Sequence, residues 1–317
     1  MSSTIVEALL PIVVTLLLGY LAGWDRNFSG DQAAILNRMV MLYALPLNLF
    51  AGIMATPRDQ VLSAGPLLFV ITLGMVGSYG VVLGFARYLF HRPIGVAALE
   101  ALAISGPAVP FVGVPVLGHI FGPASAVPIA IASLLMNLVQ VPLTLIFLVA
   151  GAQATDDTAA NAPKGGNFVD YGVHACKEPV VWAPLAALLL VLCGLSLPHA
   201  LRGSLTLLGQ STGGVALFAS GIILFSRQVM WDGQVFRAVF AKNVLMPAIT
   251  WGTALVLGLS PALRQESVVT MAIPTASIAV MLAVQYRVAE REMASVLFFT
   301  TMLSVLTMGA FIWLTSL

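Results

Sequence analysis

Residues 95–120 read GVAALEALAISGPAVPFVGVPVLGHI, and Glu100 is the only Asp, Glu, Lys or Arg among them. A helix of this length can cross a hydrocarbon core about 30 Å thick. Pro107 lies near the middle of the stretch, where its missing N–H and its ring interrupt the hydrogen-bond ladder of a helix. The stretch therefore predicts a membrane-spanning segment that is broken near its centre.

The whole chain has the composition of a membrane protein. Of its 317 residues, 59% are hydrophobic and 9% are charged, whereas roughly 25% are charged in an average soluble domain. Its net charge of +1 offers no basic surface for nucleic acid. The apolar runs predict an all-α membrane protein with ten transmembrane helices. These are residues 5–23, 33–55, 64–88, 95–120, 124–150, 179–197, 204–225, 235–258, 266–286 and 293–315.

Residues 151–178 are the one long polar stretch between the predicted spans. They predict a central cytoplasmic loop between a first five-span repeat at 1–150 and a second at 179–317. Because five is odd, the second repeat would enter the membrane from the opposite side, which makes the repeat inverted. Two matches with nearly the same offset support it: Leu49–Ile53 with Leu217–Ile222 at 168 residues, and Pro107 with Pro274 at 167 residues.

Lysine and arginine residues predict which side of the membrane each loop faces. Cytoplasmic loops carry an excess of both residues. Placing both termini outside puts nine of them in cytoplasmic loops and three in the opposite loops. Arg38 and Lys242, at expected cytoplasmic starts of spans, strengthen this bias. The nine are Arg26, Arg87, Arg92, Lys164, Lys177, Arg227, Arg237, Arg287 and Arg291, and the three are Arg58, Arg202 and Arg264.

Two proline breaks predict the position of a binding site. Pro274 interrupts the span 266–286 much as Pro107 interrupts the span 95–120. Backbone groups freed by a break cannot face lipid, so they must face protein, water or a substrate. Broken helices in corresponding positions of two repeats are typical of transporter binding sites. The N-termini of the half-helices would favour an anion such as a carboxylate.

Neutral polar residues beside the breaks are the candidate substrate contacts. Buried amides and hydroxyls need hydrogen-bond partners, which either a neighbouring helix or a substrate can supply. Asn137 and Gln210 lie away from the breaks, and we expect them to bond neighbouring helices. The expected substrate contacts are Asn48, Thr275 and Ser277.

Other functional patterns in the sequence are weaker. Glu100 is a candidate for proton coupling, although an ordinary interfacial carboxylate explains it equally well. Cys176 and Cys193 have no metal-ligand or Cys-x-x-Cys spacing, so we expect neither a metal nor a cofactor. Residues Gly209–Gly213 fit the Gly-x-Ser-x-Gly pattern of serine hydrolases. That pattern needs a strand-to-helix turn, and here it begins an apolar helical span, so we do not expect an enzyme.

Five stretches of the chain are shared with a known family. They are Leu36–Phe50, Pro107–Gly122 with its Gly113-Val114-Pro115, Lys177–Pro179, Leu217–Leu224 and Ala272–Tyr286. On these stretches the chain resembles, over nearly its whole length, the auxin efflux carrier family, which includes bacterial malonate carriers and plant auxin exporters. The resemblance implies ten spans in two inverted five-span repeats, with a scaffold part and a transport part that move relative to each other.

The resemblance also implies a site and a class of substrate. The family's crossover prolines fall on Pro107 and Pro274, and Ala108 and Gly113 join the candidate substrate-binding residues. Plant carriers have an asparagine after the first crossover proline, where this chain has Ala108, and many have a longer central loop. Both differences favour a bacterial carrier of a small carboxylate, such as malonate, in the cell inner membrane.

A second function remains open within the same kind of scaffold. It is a sodium- or proton-coupled symporter or antiporter that resembles the bile-acid symporters. In either case the expected partners are the small carboxylate and the lipid bilayer, with no nucleic acid and with a homodimer left open.

Overall fold

The described chain is built from helices. The structure is a computed structural model that describes residues 2–55, 65–154, 177–195 and 197–316. Within these ranges the one extended pairing is an isolated antiparallel bridge between Pro107 and Thr275. The first half contains α1 (Ser2–Trp24), α2 (Gly30–Met39), α3 (Leu45–Met54), α4 (Gly65–Thr72), α5 (Ser78–Gly84), α6 (Ile94–Ser105), α7 (Val114–Phe121), α8 (Ala126–Leu135) and α9 (Val141–Ala154). The second half contains α10 (Pro179–Leu192), α11 (His199–Gly209), α12 (Ser211–Arg227), α13 (Gly233–Phe240), α14 (Met246–Val256), α15 (Pro261–Ala272), α16 (Ile278–Tyr286) and α17 (Glu290–Ser316).

Six continuous helical stretches of the described chain are long and apolar enough to cross a membrane, and three shorter helices are also apolar. The predicted spans 95–120 and 266–286 are each divided into two helices, α6 with α7 and α15 with α16. The six are Gly30–Met54, Gly65–Leu89, Val116–Gly151, Leu201–Arg227, Gly233–Val256 and Glu290–Ser316, and the three are Leu10–Trp24, Ile94–Ser105 and Pro179–Leu192.

Prolines explain most of the wider π-helical turns that join consecutive helices. A proline ring clashes with the carbonyl four residues earlier. A π turn widens the helix at that carbonyl, so that the helix can continue past the proline. Four turns end two residues before a proline: Val40–Ala44 before Pro46, Val109–Gly113 before Pro115, Met136–Gln140 before Pro142, and Ala241–Leu245 before Pro247.

Helices α1 and α12 approach each other closely because two glycines lie at their contact. A Cβ at Gly19 would lie 2.0 Å from the Phe218 carbonyl oxygen, and a Cβ at Gly221 would lie 2.1 Å from the Leu16 carbonyl oxygen. Small residues allow helix backbones to pack closely in membranes, where van der Waals contact rather than the hydrophobic effect holds helices together.

The most extensive helix contacts divide the helices into two packing groups, and α17 of the second group also contacts α1 and α12 of the first. Helix α1 packs on α12, and α10 packs on α3. In the other group α6 packs on α9, and α15 packs on α17. We call α1–α3 with α10–α12 the first group, and the remaining helices the second group.

One part of the orientation prediction lies outside the described residues, and another is corrected by the structure. The predicted loop 151–178, with Lys164, lies mostly outside the described residues, as does Arg58. Lys242 is not at the start of its helix. It lies in the π turn Ala241–Leu245 within the helical stretch Gly233–Val256, its side chain is fully buried, and its ammonium has no hydrogen-bond partner among the described residues. Lys242 therefore gives no information about which end of this helix is cytoplasmic.

Adding one methyl group at Gly221 tests the close contact of α1 and α12. We expect Gly221→Ala to reduce the free energy of unfolding by at least about 2 kcal/mol, since the new Cβ would overlap backbone atoms of α1. The matched control is Gly214→Ala on the same helix, where a Cβ would have nothing within 4 Å. This control should be neutral or stabilising by up to about 1 kcal/mol. Thermal unfolding of both variants in detergent measures the difference, and equal stabilities would contradict the contact.

Candidate functional site

The chain leaves helical geometry at both predicted breaks. Helix α6 ends at Ser105, and Gly106 has extended backbone angles. Helix α15 ends at Ala272, Ile273 is extended, and α16 begins at Ile278. The cause is local in both cases, because a proline disfavours helical angles in the residue before it and cannot donate a backbone hydrogen bond.

The two breaks meet, and each supplies hydrogen-bond partners to the other. The Ala108 N–H donates to the Pro274 carbonyl at 2.9 Å, and the Ala276 N–H donates to the Gly106 carbonyl at 3.1 Å. The Thr275 hydroxyl also donates to the carbonyl of Ala103, in the last turn of α6, at 2.8 Å. The breaks leave these backbone groups without partners in their own helices, and lipid could not supply any. The bonds between the two breaks satisfy them. We call this meeting point the crossover.

One cavity opens beside the crossover. Its volume is about 30 Å³, which is space for about two water molecules. Helix α3, the crossover, α8 with the following π turn, and the first turn of α16 form its walls. The lining residues are Leu45, Asn48, Leu49, Pro107, Ala108, Val109, Ala132, Ser133, Met136, Asn137, Ala276, Ser277, Ile278 and Met281.

A second, smaller cavity lies on another side of the crossover, and Ser277 borders both. Ser277 is 3% exposed, and its hydroxyl has no hydrogen-bond partner among the described residues. A serine before a helix commonly caps that helix with its side chain, but the Ser277 hydroxyl makes no such bond to α16. It is therefore free to bind a ligand. The second cavity is lined by Ile12, Ala108, Val112, Leu217, Pro274, Thr275, Ser277, Leu297 and Thr301.

Most of the residues predicted for the site line these cavities. Asn48 and Pro107 border the first cavity, Pro274 and Thr275 border the second, and Ala108 borders both, as Ser277 does.

Gly113 is the predicted site residue that packs elsewhere. A Cβ there would lie 3.0 Å from Cδ1 of Ile273, the residue before Pro274. Gly113 lines neither of the two cavities. Its place suggests a packing role, in which its small size lets the chain after the first break lie against the second break.

Glu100 also lies apart from the cavities, in an ionic cluster with Arg92 and Glu292. Arg92 contacts Glu100 at 3.6 Å, bonds Glu292 through a terminal nitrogen, and donates to Gln234 at 2.6 Å. Glu100 is 5% exposed and Glu292 is 6% exposed. One guanidinium thus joins two buried carboxylates from α6 and α17.

Ser133 and Asn137 are site residues that the sequence analysis did not assign. Asn137 was expected to bond a neighbouring helix, but its amide donates to the Ser133 carbonyl of its own helix at 2.7 Å. Both residues line the first cavity. Their spacing of four residues places them on one face of a helix. This spacing was the one sequence feature that could have predicted their common position at the cavity.

The remaining sequence pattern does not form an active site. The residues Gly209–Gly213 join two helices, α11 and α12, rather than a strand and a helix. The Ser211 hydroxyl donates to the Leu208 carbonyl at 2.7 Å, as expected for a residue at a helix junction.

A helical membrane protein with two interrupted helices that cross beside a cavity has the architecture of a transporter. The family comparison agrees. The chain belongs to the family described as "Membrane transport protein", which matches residues 4–166 and 169–312. The auxin efflux carrier resemblance found in the sequence is thereby confirmed, since the relatives of this chain include such a carrier.

Three relatives span most of the chain. "Uncharacterized transporter YfdV" of Escherichia coli (strain K12) is 32% identical over 285 residues, 89% of this chain and 88% of the relative. "Putative malonate transporter" of Rhizobium meliloti (strain 1021) is 24% identical over 314 residues, 96% of this chain and 94% of the relative. "Auxin efflux carrier component 8" of Arabidopsis thaliana is 21% identical over 365 residues, 99% of this chain and 98% of the relative.

Removing the guanidinium of Arg92 tests the ionic cluster. We expect Arg92→Met to lower the free energy of unfolding by roughly 3 kcal/mol, because it leaves two buried carboxylates without their cation. Arg227→Met is the matched control, since Arg227 pairs with Glu290 while its own side chain is 59% exposed. Exposed pairs contribute about 0–1 kcal/mol. If thermal unfolding in detergent shows the same loss for both variants, the cluster has no special structural weight.

Proposed function

We propose that this protein is a secondary transporter that moves a small organic anion, a carboxylate, across the cell inner membrane by alternating access. The observation that carries the proposal is the crossover, where two broken helices meet beside cavities that contain the unpaired Ser277 hydroxyl. A transporter binds its substrate reversibly and needs no group for covalent chemistry. The neutral polar side chains at the crossover can hold a substrate by hydrogen bonds alone.

The start of α16 supports an anionic substrate. The first N–H groups of a helix have no acceptor within the helix, and the helix dipole places partial positive charge beside them. Ile278, the first residue of α16, borders the first cavity next to Ser277. A carboxylate placed there would accept hydrogen bonds from backbone and hydroxyl donors, as anions do at other helix N-termini.

Both cavities lie between the two packing groups, which supports alternating access. Leu45, Asn48 and Leu49 of α3 belong to the first group, and the crossover belongs to the second. Ile12 of α1 and Leu217 of α12 bring the first group to the second cavity as well. In this proposal the second group carries the substrate at the crossover, and it slides along the first group to expose the site to either side.

An inverted repeat of two five-span halves, 1–150 and 179–317, is part of the proposal. It is supported by reciprocal packing, in which α1 of the first half contacts α12 of the second, and α10 of the second half contacts α3 of the first. The π turns Leu73–Gly77 and Ala241–Leu245 begin 168 residues apart, the offset found for Leu49 and Leu217. With this repeat the central loop 151–178 would be cytoplasmic, and both termini would be periplasmic.

Malonate is one candidate substrate, since the Rhizobium meliloti relative is named for it. A cation-coupled symporter or antiporter is the alternative. It is favoured by the two buried carboxylates, Glu100 and Glu292, which both contact Arg92. Both also lie within the electrostatic influence of Arg237. Ionisable residues buried inside a membrane protein are candidates for proton exchange. Dependence of transport on a sodium or proton gradient separates this alternative from an uncoupled carrier.

Removing the Ser277 hydroxyl tests the site. We expect Ser277→Ala to weaken carboxylate binding and exchange about tenfold or more, because a hydrogen bond to a charged group contributes about 1.5–3 kcal/mol. The measurement is exchange of labelled carboxylates, malonate among them, by purified protein in liposomes.

The matched control for that measurement is Ser220→Ala. Ser220 is also buried, but its hydroxyl donates to the Ala216 carbonyl of its own helix. This variant should exchange carboxylates as the natural protein does. Normal exchange in Ser277→Ala would remove Ser277 from the site, and absence of any carboxylate exchange in the natural protein would contradict the function itself.

A further inference from the structure

The two crossover cavities contain no charged side chain among the residues described. The first cavity offers four polar side chains, Asn48, Ser133, Asn137 and Ser277, and all are neutral. The second is bordered by the hydroxyls of Thr275, Ser277 and Thr301. Of these, the hydroxyls of Thr275 and Thr301 donate to the carbonyls of Ala103 and Leu297. Attraction of an anion to these cavities would therefore come from helix N-termini and N–H groups rather than from an ammonium or a guanidinium.

Two buried cationic side chains, those of Arg92 and Lys242, lie away from the two cavities. Arg92 is bound to Glu100 and Glu292, and Lys242 is fully buried in its π turn. Neither borders either of the cavities. A substrate at the crossover thus meets roughly half an elementary charge from each helix N-terminus, together with neutral donors.

The partial positive charge and neutral donors at the crossover are sufficient for one carboxylate but not for two. A single carboxylate at the start of α16 can accept from the Ser277 hydroxyl and from the N–H of Ile278, the first residue of the helix, whereas the Ala279 N–H already donates to the Ala276 carbonyl. A second carboxylate on the same small molecule would lie in the same cavity without a cationic partner. Burial of an unpaired charge is unfavourable by several kcal/mol, so a dianion would bind much more weakly.

The rest of the first cavity is apolar. Leu45 and Leu49 form a wall from α3, and Met136 and Met281 face the space from two other elements. Methionine side chains are flexible and adapt to ligands of different shape. The cavity has a volume of about 30 Å³, so the facing helices would have to move apart before these walls contact the hydrocarbon body of a ligand whose polar end is held at the crossover.

We propose that the crossover takes a short monocarboxylate with an apolar body, and that it discriminates against dicarboxylates. This inference rests on the proposed carboxylate transport and narrows its substrate class. The inference implies that this chain prefers a substrate other than malonate, the dicarboxylate for which the Rhizobium meliloti relative is named.

Three acids of similar size test the inference on the unmodified protein. They are propionate, malonate, and malonamate, in which a neutral amide replaces one carboxylate of malonate. Binding of each acid is measured directly with purified protein in detergent by isothermal titration calorimetry. We expect propionate and malonamate to bind, and malonate to bind at least about tenfold more weakly than malonamate, because its second charge has no partner.

A variant with a new cation provides a second, independent measurement. Ser133 borders the first cavity and is only partly buried, so the long side chain of Ser133→Lys would bring an ammonium to the edge of the cavity. The ratio of malonate to malonamate affinity should rise about tenfold in this variant, since the second carboxylate gains a partner. Thermal unfolding of the variant reports whether it is folded.

The possible results separate the inference from the function on which it rests. Malonate binding as tightly as malonamate to the unmodified protein would overturn the inference and leave carboxylate transport intact. Failure of all three acids, and of longer mono- and dicarboxylates, to bind would overturn both. Weak malonate binding to the natural protein, with recovery in Ser133→Lys, would support the monocarboxylate site.

Discussion

The structure depends on the exchange of backbone hydrogen bonds between two broken helices. Inside a membrane, each unsatisfied backbone group costs several kcal/mol, so each break needs hydrogen-bond partners from outside its own helix. Ala108 donates to Pro274, and Ala276 donates to Gly106, so each break supplies the acceptor that the other lacks. The hydroxyl of Thr275 adds a third bond to the last turn of α6. The two interruptions are therefore one structural unit, although they lie 167 residues apart in the chain.

The same exchange leaves one side-chain donor unused beside the cavities. The crossover bonds involve Ala108, Thr275 and Ala276. The Ala279 N–H of α16 donates to the Ala276 carbonyl, whereas the hydroxyl of Ser277 has no partner among the described residues. This hydroxyl lies at the border of the two packing groups, where the cavities are small. In the proposed transport cycle, the crossover side of the site would stay fixed in shape while the facing helices move relative to it. The need to satisfy the backbone would then also shape the proposed substrate site.

Features with a local cause could be predicted from the sequence, and features set by packing could not. The breaks at Pro107 and Pro274 follow from the chemistry of proline, and the polar residues Thr275 and Ser277 were identified from their distance to a break. Ser133 and Asn137 reach the first cavity from another span. Apart from their spacing of four residues, no local sequence pattern indicates that they line it. The pairing of Glu100 with Arg92 and Glu292 joins residues up to 200 positions apart. The complete burial of Lys242 likewise depends on neighbouring helices. From its charge alone, Lys242 was predicted at the cytoplasmic start of a span.

Protection of a cysteine at position 277 is the most direct test that the crossover is the substrate site. Ser277→Cys would be made in a chain whose native Cys176 and Cys193 are replaced by serine, and its reaction with a small thiol reagent would be followed with and without transported carboxylates. The exposed residue Ser316 provides the control as Ser316→Cys. A crossover site predicts that a transported carboxylate slows labelling at position 277 and leaves position 316 unchanged. Equal labelling rates at position 277 with and without a transported carboxylate would contradict it.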